Sequence, residues 1–391
     1  MPSLAVEQAI IPKRRDACRQ IPLSSPDISE DDRQSVLAVL SGTALSLGPA
    51  LPAFEAAVAH AAGTRFAVAV NSGTSALHLG VKAAGIGDGD EVITTPFSFV
   101  ASANCVLYER AIPRFVDIEP DTYNMDAFQI AASINEKTRA ILPVHVFGRP
   151  CNMLRIASIA EENGLAVIED ACEAIGATYK GRKIGSFGES SAFAFYPNKQ
   201  ITTGEGGALA TNNETVARLC RSLRNQGRGE NGAWLQHERL GYNYRLSDIN
   251  CTLGLGQLSR LDTILEKRRQ VAESYREALE PLPAVIPPHP EEGMSWFVYV
   301  VRLQDEFTRE QRDQILSSLR RDGIGCNNYF SPIHLQPYFQ EMFGFRRGDF
   351  PVTEHVADRT IALPFFNNLS QEEIEIVVSS LSRAVGDLKR R

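Results

Sequence analysis

Apolar positions recur along this chain with two periods, and the periods take turns. Residues 29–39 carry apolar side chains at helical spacing, residues 66–70 (FAVAV) form a short β-rich run, and residues 76–84 return to helical spacing before Gly85 closes them. Between that strand and that helix lies a turn of small polar residues, Asn71-Ser-Gly-Thr-Ser75. The alternation continues with a strand at 91–95, a helix at about 101–108, strands at 113–116 and 140–144, a helix at about 153–163 and a strand at 165–168. Strand and helix in succession predict an α/β fold whose central sheet is mostly parallel and flanked by helices. No segment repeats at a fixed period, and none is low in complexity.

Ligands of such sheets lie beyond the carboxyl ends of the strands, so the residues just after each predicted strand are where chemistry is expected. Four stretches qualify: 71–75, 96–99, 169–173 and 196–207. Past Gln257 the texture changes. A long charged helix over 259–280 runs into a proline-rich stretch, 281–290, which reads as the entry to a second, smaller domain.

Composition excludes several classes. A chain of 391 residues, at about 150 per domain, suggests two or three domains, and 43% hydrophobic with 22% charged residues is ordinary globular usage. Forty basic against 47 acidic residues give a net charge of -7, so no global positive field attracts nucleic acid or an acidic membrane surface. The seven cysteines are scattered, with no CxxC pair and no zinc-type cluster, which fits a reducing cytoplasm and no metal. The first residues, MPSLAVEQAIIPKRR, place their basic cluster after the apolar stretch, the reverse of a secretory signal. The longest uncharged run, 34–54, is interrupted by Gly42, Gly48, Pro49 and Pro52 and is not expected to span a bilayer.

Three residue groups carry candidate chemistry. The turn 71–75 opens a helix, where backbone N–H groups, hydroxyls and the helix dipole can converge on a phosphate; the same residues would also serve as plain N-caps. It lacks the GxxxxGK[ST] spacing of a nucleotide-binding P-loop. Asp170 ends the apolar run LAVI-Glu-Asp, where a carboxylate can meet the nitrogen of a bound ring or simply cap a following helix through Asp170 and Glu173. Lys199 lies between an aromatic segment, Phe193-Ala-Phe-Tyr196, and the glycine-rich turn Gly204-Glu-Gly-Gly207. A lysine held among apolar neighbours has its charged form disfavoured, which suits Schiff-base chemistry. An anion site, an acid for a ring nitrogen, an aromatic segment and an amine are the parts that bind pyridoxal phosphate.

The chain resembles the DegT/StrS family of nucleotide-sugar aminotransferases, within the fold-type I, aspartate aminotransferase-like pyridoxal phosphate enzymes. The resemblance runs from about residue 21 to 381 and rests on LGP at 47, NSGTSALHL at 71, TPFSFVASAN at 95, EDACEAIGATYKGRKIGSFG at 169, FYPNKQITTGEGG at 195, GYNYRLSD at 241 and PIHLQPY at 332. It implies an extension at 1–20, a large cofactor-binding domain at 21–260, and a linking helix with a smaller C-terminal α/β domain at 261–391. It implies that Lys199 forms the internal aldimine with pyridoxal 5'-phosphate and then shuttles the proton, that Asp170 pairs with the pyridine nitrogen, and that Gly73, Thr74 and Ser75 hold the phosphate. Phe99 would stack on the ring. Asn243 would reach the phosphate from the neighbouring subunit of a homodimer with shared active sites. His334 would bind the sugar nucleotide from the second subunit, with Tyr329 and Arg245 as neighbours; a turn histidine packed beside Pro332 and Pro337 is the alternative there.

Two positions depart from the commoner pattern. Glu173 stands where many members carry Gln or His against the ring hydroxyl, and Ala194 stands where many place a phosphate-binding Ser. Other features carry less: His145 is expected to be a satisfied structural histidine, Cys172 to point away in a helix start, and Trp234 and His237 to lie in a loop, either over the site or on the surface. The resemblance implies a transfer in two halves through pyridoxamine phosphate, from an amino-acid donor, L-glutamate by family habit, to a nucleotide-linked keto-sugar. A related dehydratase would have His in place of Lys199. A keto-inositol or other carbocycle aminotransferase, and a non-catalytic regulatory homologue, are the other readings.

Overall fold

The computed structural model describes residues 20–229 and 236–389; Cys18 and Trp234 lie outside them. In chain order the strands are β1 Phe66–Val70, β2 Glu91–Thr94, β3 Ile112–Phe115, β4 Thr138–Ile141, β5 Ala166–Asp170, the small hairpin β6 Thr178–Tyr179 and β7 Arg182–Lys183, β8 Ser190–Ala194, β9 Gly207–Thr211, β10 Val285–Ile286, β11 Tyr299–Leu303 and β12 Thr360–Leu363. Seven of them form one sheet in the order β1-β9-β8-β5-β4-β2-β3. Every strand runs parallel except β9, which is antiparallel to both its neighbours.

The alternation of β1 shows how the two faces are filled. Ala67 and Ala69 join a core with Phe54 and Val58 of the helix Ala50–Ala62 and Ile156 of the helix Met153–Asn163. Val68 and Val70 point the other way, to Leu77 and Leu79 of the helix Gly73–Ala83 and Leu223 of the helix Glu214–Arg224. A strand covered on both faces can be apolar throughout, because its period-two side chains meet a helix layer on either side.

A second, antiparallel sheet, β10-β11-β12, packs with the helices Leu261–Leu279, Arg309–Arg321 and Gln371–Lys389 around its own apolar cluster. Ile21 joins this cluster from the other end of the chain, its N–H donating to Gly323 O at 3.0 Å.

Three local expectations change. The helix after β1 begins at Gly73, three residues early, because the Ser72 hydroxyl caps it by accepting the Ser75 N–H at 3.1 Å. The helix predicted over 259–280 runs over Leu261–Leu279, two residues late at its start, because an earlier helix, Asp248–Ser259, ends there and the two are parted at Arg260, whose guanidinium reaches Asp32 at 2.8 Å. No helix follows Asp170. Its Oδ1 accepts the Cys172 N–H at 3.1 Å, an Asx-type bond two residues on that closes a turn instead.

Candidate active site

A cavity of about 740 Å³ opens at the carboxyl ends of β1, β5 and β8, and its wall includes Gly73, Thr74, Phe99, Asp170, Lys199 and Tyr329. One end is the first turn of the helix Gly73–Ala83. The N–H groups of Gly73 and Thr74 have no intrahelical acceptor, as at any helix start, and face the side favoured by negative charge. The Ser75 hydroxyl is turned back to Asn71 Oδ1 at 2.7 Å and is not on the wall, so of the three expected phosphate contacts two line the cavity.

The turn lies flat on the sheet, and two glycines make that possible. A methyl group on Gly207 would sit 2.4 Å from the Ser72 carbonyl, and one on Gly73 would sit 2.6 Å from Ala194 Cβ and 2.9 Å from Cys172 Sγ. Ala194 therefore stands directly against the turn. Cys172 also lines the cavity, contrary to the expectation from a helix start, because the Asx turn presents it there. Burial pushes its thiol well up, and the neighbouring Asp170 adds to that.

Asp170 is buried, and both of its oxygens are fixed: Oδ2 accepts from the Ser102 hydroxyl at 2.6 Å and Oδ1 from Cys172 N–H. Ser98 donates in turn to Ser102 at 2.7 Å. Neither serine was singled out by the sequence; the signal was their spacing of four residues on either side of Phe99. Behind Asp170, Glu169 accepts the N–H groups of Gly185, Phe187 and Gly188. His145 takes Cys151 N–H on Nδ1 at 3.0 Å and donates from Nε2 to Glu169 at 3.3 Å, a satisfied buried histidine as expected.

Lys199 Nζ donates to Glu173 Oε1 at 3.4 Å and lies 3.9 Å from the centroid of the Phe297 ring. A cation over an aromatic face gains from the ring quadrupole. Glu173 Oε2 accepts Phe147 N–H at 2.9 Å. Burial raises the Glu173 carboxyl above the ordinary range, against the pull of the Lys199 ammonium and the Phe147 N–H. Phe297 comes from just before β11, and Tyr329 stacks near-parallel to it at 6.5 Å between centroids. Phe99, at the rim, is 62% exposed.

The remaining expected residues lie off this wall. Asn243 is exposed beside the turn, where Asn71 N–H donates to Tyr244 O at 3.0 Å, and Arg245 bonds Asn225 Oδ1 at 3.1 Å. His237 is exposed and held by Gln226 O at 2.7 Å. His334, expected to touch the sugar nucleotide, is completely buried instead: its Nε2 meets Glu354 Oε1 at 3.0 Å and Phe350 packs edge-on at 4.8 Å. The buried carboxylate draws the ring inward, and the neighbours Ile333 and Gln336 form the wall. Among the described residues no group of three His, Cys, Asp or Glu is placed to hold a metal ion, and no helix is long and apolar enough to cross a membrane.

Comparison with known proteins adds the family. The pattern of the DegT/DnrJ/EryC1/StrS aminotransferase family matches residues 26–382. GDP-perosamine synthase of Caulobacter vibrioides is 38% identical over 371 residues, covering 94% of this chain and 98% of its own. Among solved structures, Helicobacter pylori PseC, an aminotransferase involved in the biosynthesis of pseudoaminic acid, superposes with a TM-score of 0.89 at 29% identity, over 94% of this chain and all of its own. S. venezuelae DesV, solved in complex with a ketimine intermediate, gives 0.86 at 31% identity, over 93% and 98% of the two chains.

Proposed function

The chain belongs to the DegT/DnrJ/EryC1/StrS aminotransferase family, and from that premise we propose that it moves an amino group from L-glutamate to the keto group of a nucleotide-linked sugar, with pyridoxal 5'-phosphate carried on Lys199. The observation that carries this reading is convergence: a helix N-terminus, a buried carboxylate and an amine all face one cavity. Those groups match the phosphate, the ring nitrogen and the aldehyde of the cofactor, and Gly73 and Gly207 leave the backbone room that a side chain would fill. When bound, the cofactor supplies an electron sink that stabilises negative charge on the carbon next to the transferred nitrogen.

The chain's own residues do the rest. Gly73 and Thr74 would hold the phosphate end. Asp170, whose carboxylate is locked by Ser102, would meet the ring nitrogen. Lys199 Nζ serves as the attachment point and, once released, takes a proton from the substrate carbon and returns it. Phe99, at the rim, would cover one ring face, and Glu173, beside Lys199, would face the ring hydroxyl. Asn243 and Arg245, outside their own cavity, would complete the site of a second copy in a homodimer; the exposure of Asn243 and Phe99 supports that.

A cavity of about 740 Å³ lies in the upper part of the usual range for small-molecule sites, which supports room for a substrate beside the cofactor. Ser331, Asn328, Gln336 and Tyr338 add neutral polar groups to its wall, suited to a polyhydroxylated ring, with Tyr329 as the aromatic contact. The nucleotide is carried over from the names of relatives such as GDP-perosamine synthase. The apolar cluster of the antiparallel sheet, drawn apart from Ile21 from residues 271–385, supports a smaller unit beyond about residue 260, which Phe297, Val300 and Phe330 join to a cluster of the large sheet. Six free cysteines among the described residues support work in the cytoplasm.

The test is an absorbance spectrum of the cofactor-loaded protein before and after L-glutamate, then after a panel of keto-sugar nucleotides and a keto-inositol. The expected result is a band that moves with glutamate and returns with one sugar nucleotide. Return with the keto-inositol alone would replace the substrate class, and no band at all would end the cofactor assignment.

A further inference from the structure

Glu173 and Lys199 form a buried pair with an internal asymmetry. Their side chains are 8% and 13% exposed, and Lys199 Nζ donates to Oε1 at 3.4 Å. Oε2 is committed elsewhere, to Phe147 N–H at 2.9 Å, and the Glu173 main-chain oxygen accepts Gln200 Nε2 at 2.6 Å. Oε1 is thus the oxygen left for Nζ. The ionisable groups facing this carboxyl are Lys199, Asp170, Cys172 and Tyr329. The cation is Lys199, and Asp170 is a second acid.

A buried carboxylate is tolerated while its counter-charge stays beside it, and it takes a proton when that charge is lost. Lys199 loses its charge whenever its nitrogen gives up a proton to bond a carbonyl carbon. We propose that Glu173 Oε1 accepts the proton that Lys199 sheds as Nζ bonds a carbonyl carbon, and keeps it when Nζ is freed, so that Nζ is released as a neutral amine able to take the substrate proton; this rests on the reading of Lys199 as the residue that attaches the cofactor. In the transfer an Nζ–H bond breaks, its electron pair stays on nitrogen, and an Oε1–H bond forms. Ammonium and carboxylate become amine and carboxylic acid; as the neutral amine then bonds the carbonyl carbon, the C=O bond breaks and its oxygen leaves as water with the two hydrogens that remained on nitrogen, so the carboxyl holds the one proton shed. Burial, which already raises the Glu173 carboxyl, favours the neutral pair.

The test is difference infrared spectroscopy in the region of the protonated-carboxyl C=O stretch, on the wild-type chain, Glu173→Gln and Lys199→Ala, with cofactor absorbance recorded on the same samples. Adding pyridoxal phosphate to the cofactor-free wild type is expected to produce one protonated carboxyl per chain, absent in Glu173→Gln. In Lys199→Ala, whose carboxyl has lost its cation, that band is expected before any cofactor is added. Cofactor absorbance in the wild type without the carboxyl band, or a band that survives in Glu173→Gln, overturns the inference. So does its absence from cofactor-free Lys199→Ala, an arm that needs neither cofactor binding nor the glutamine variant. Failure of the wild type to gain cofactor absorbance strikes the attachment reading itself.

Discussion

Ser102 donates its hydroxyl proton to Asp170 Oδ2 at 2.6 Å, inside the cavity and out of reach of bulk water. With Oδ1 held by Cys172 N–H, this bond fixes how the carboxylate is turned. Ser102→Ala is expected to lower kcat/KM about 10-fold or more, the size of a hydrogen bond to a charged group. The bound cofactor's absorbance should also change its pH dependence, because the partner of the ring nitrogen has been loosened. A variant with reduced activity and a wild-type spectrum at every pH would mean that Ser102 merely fills space.

Ala194 offers the opposite experiment, a gain. Its Cβ stands against Gly73 on the wall of the cavity, so Ala194→Ser would add a hydroxyl beside the proposed phosphate end. One added neutral bond is worth about 1 kcal/mol, so cofactor should be held about 5-fold more tightly. Equilibrium dialysis of the cofactor against both proteins checks this, and equal or weaker retention would count against a phosphate at Gly73 and Thr74.

What the sequence makes legible follows from the range of each signal. FAVAV at β1 and the helix Met153–Asn163 are readable because a period of 2 or 3.6 is local, and Lys199 and Asp170 are readable because each ends or follows such an element. Ser102 is not, since a serine in a short helix looks like a cap or a filler until the carboxylate from β5 is placed against it. Phe297 reaches Lys199 from another sheet, which no periodicity records. For His334 the motif PIHLQPY gives the segment, while the burial of the ring and its bond to Glu354 depend on a partner 20 residues on that no local pattern records.

Burial lowers the His334 imidazole below its ordinary range, with Glu354 pulling the other way; His78, enclosed by Tyr244 and Glu109, is lowered for the same reason. The sign follows from linkage. The unfolded imidazoles take up protons near about pH 6.5, while the folded ones resist until lower pH, so stability is complete above that value and falls as the solution is acidified. The urea midpoint is expected to drop between about pH 7 and about pH 5. In His334→Gln, which keeps a donor for Glu354 and does not titrate, the drop should be smaller. An unchanged slope would assign the effect to His78.

Arg268 is buried without a carboxylate, its guanidinium spent on Trp296 O at 2.7 Å, Phe297 O at 2.6 Å and Asn367 Oδ1 at 2.9 Å. The fork therefore holds the backbone whose Phe297 ring lies 3.9 Å from Lys199 Nζ. A lysine cannot reach all three acceptors, and each one left unpaired costs about 1–3 kcal/mol. Arg268→Lys is thus expected to lower stability by a few such units, while Phe297→Leu, which keeps most of the volume, should cost less than about 1.5 kcal/mol. Both change the surface under Lys199, so both should slow cofactor capture by the cofactor-free protein, measured by stopped-flow absorbance. If Arg268→Lys were destabilised yet captured cofactor at the wild-type rate, the guanidinium would be a tie between helix and sheet with no hold on the lysine.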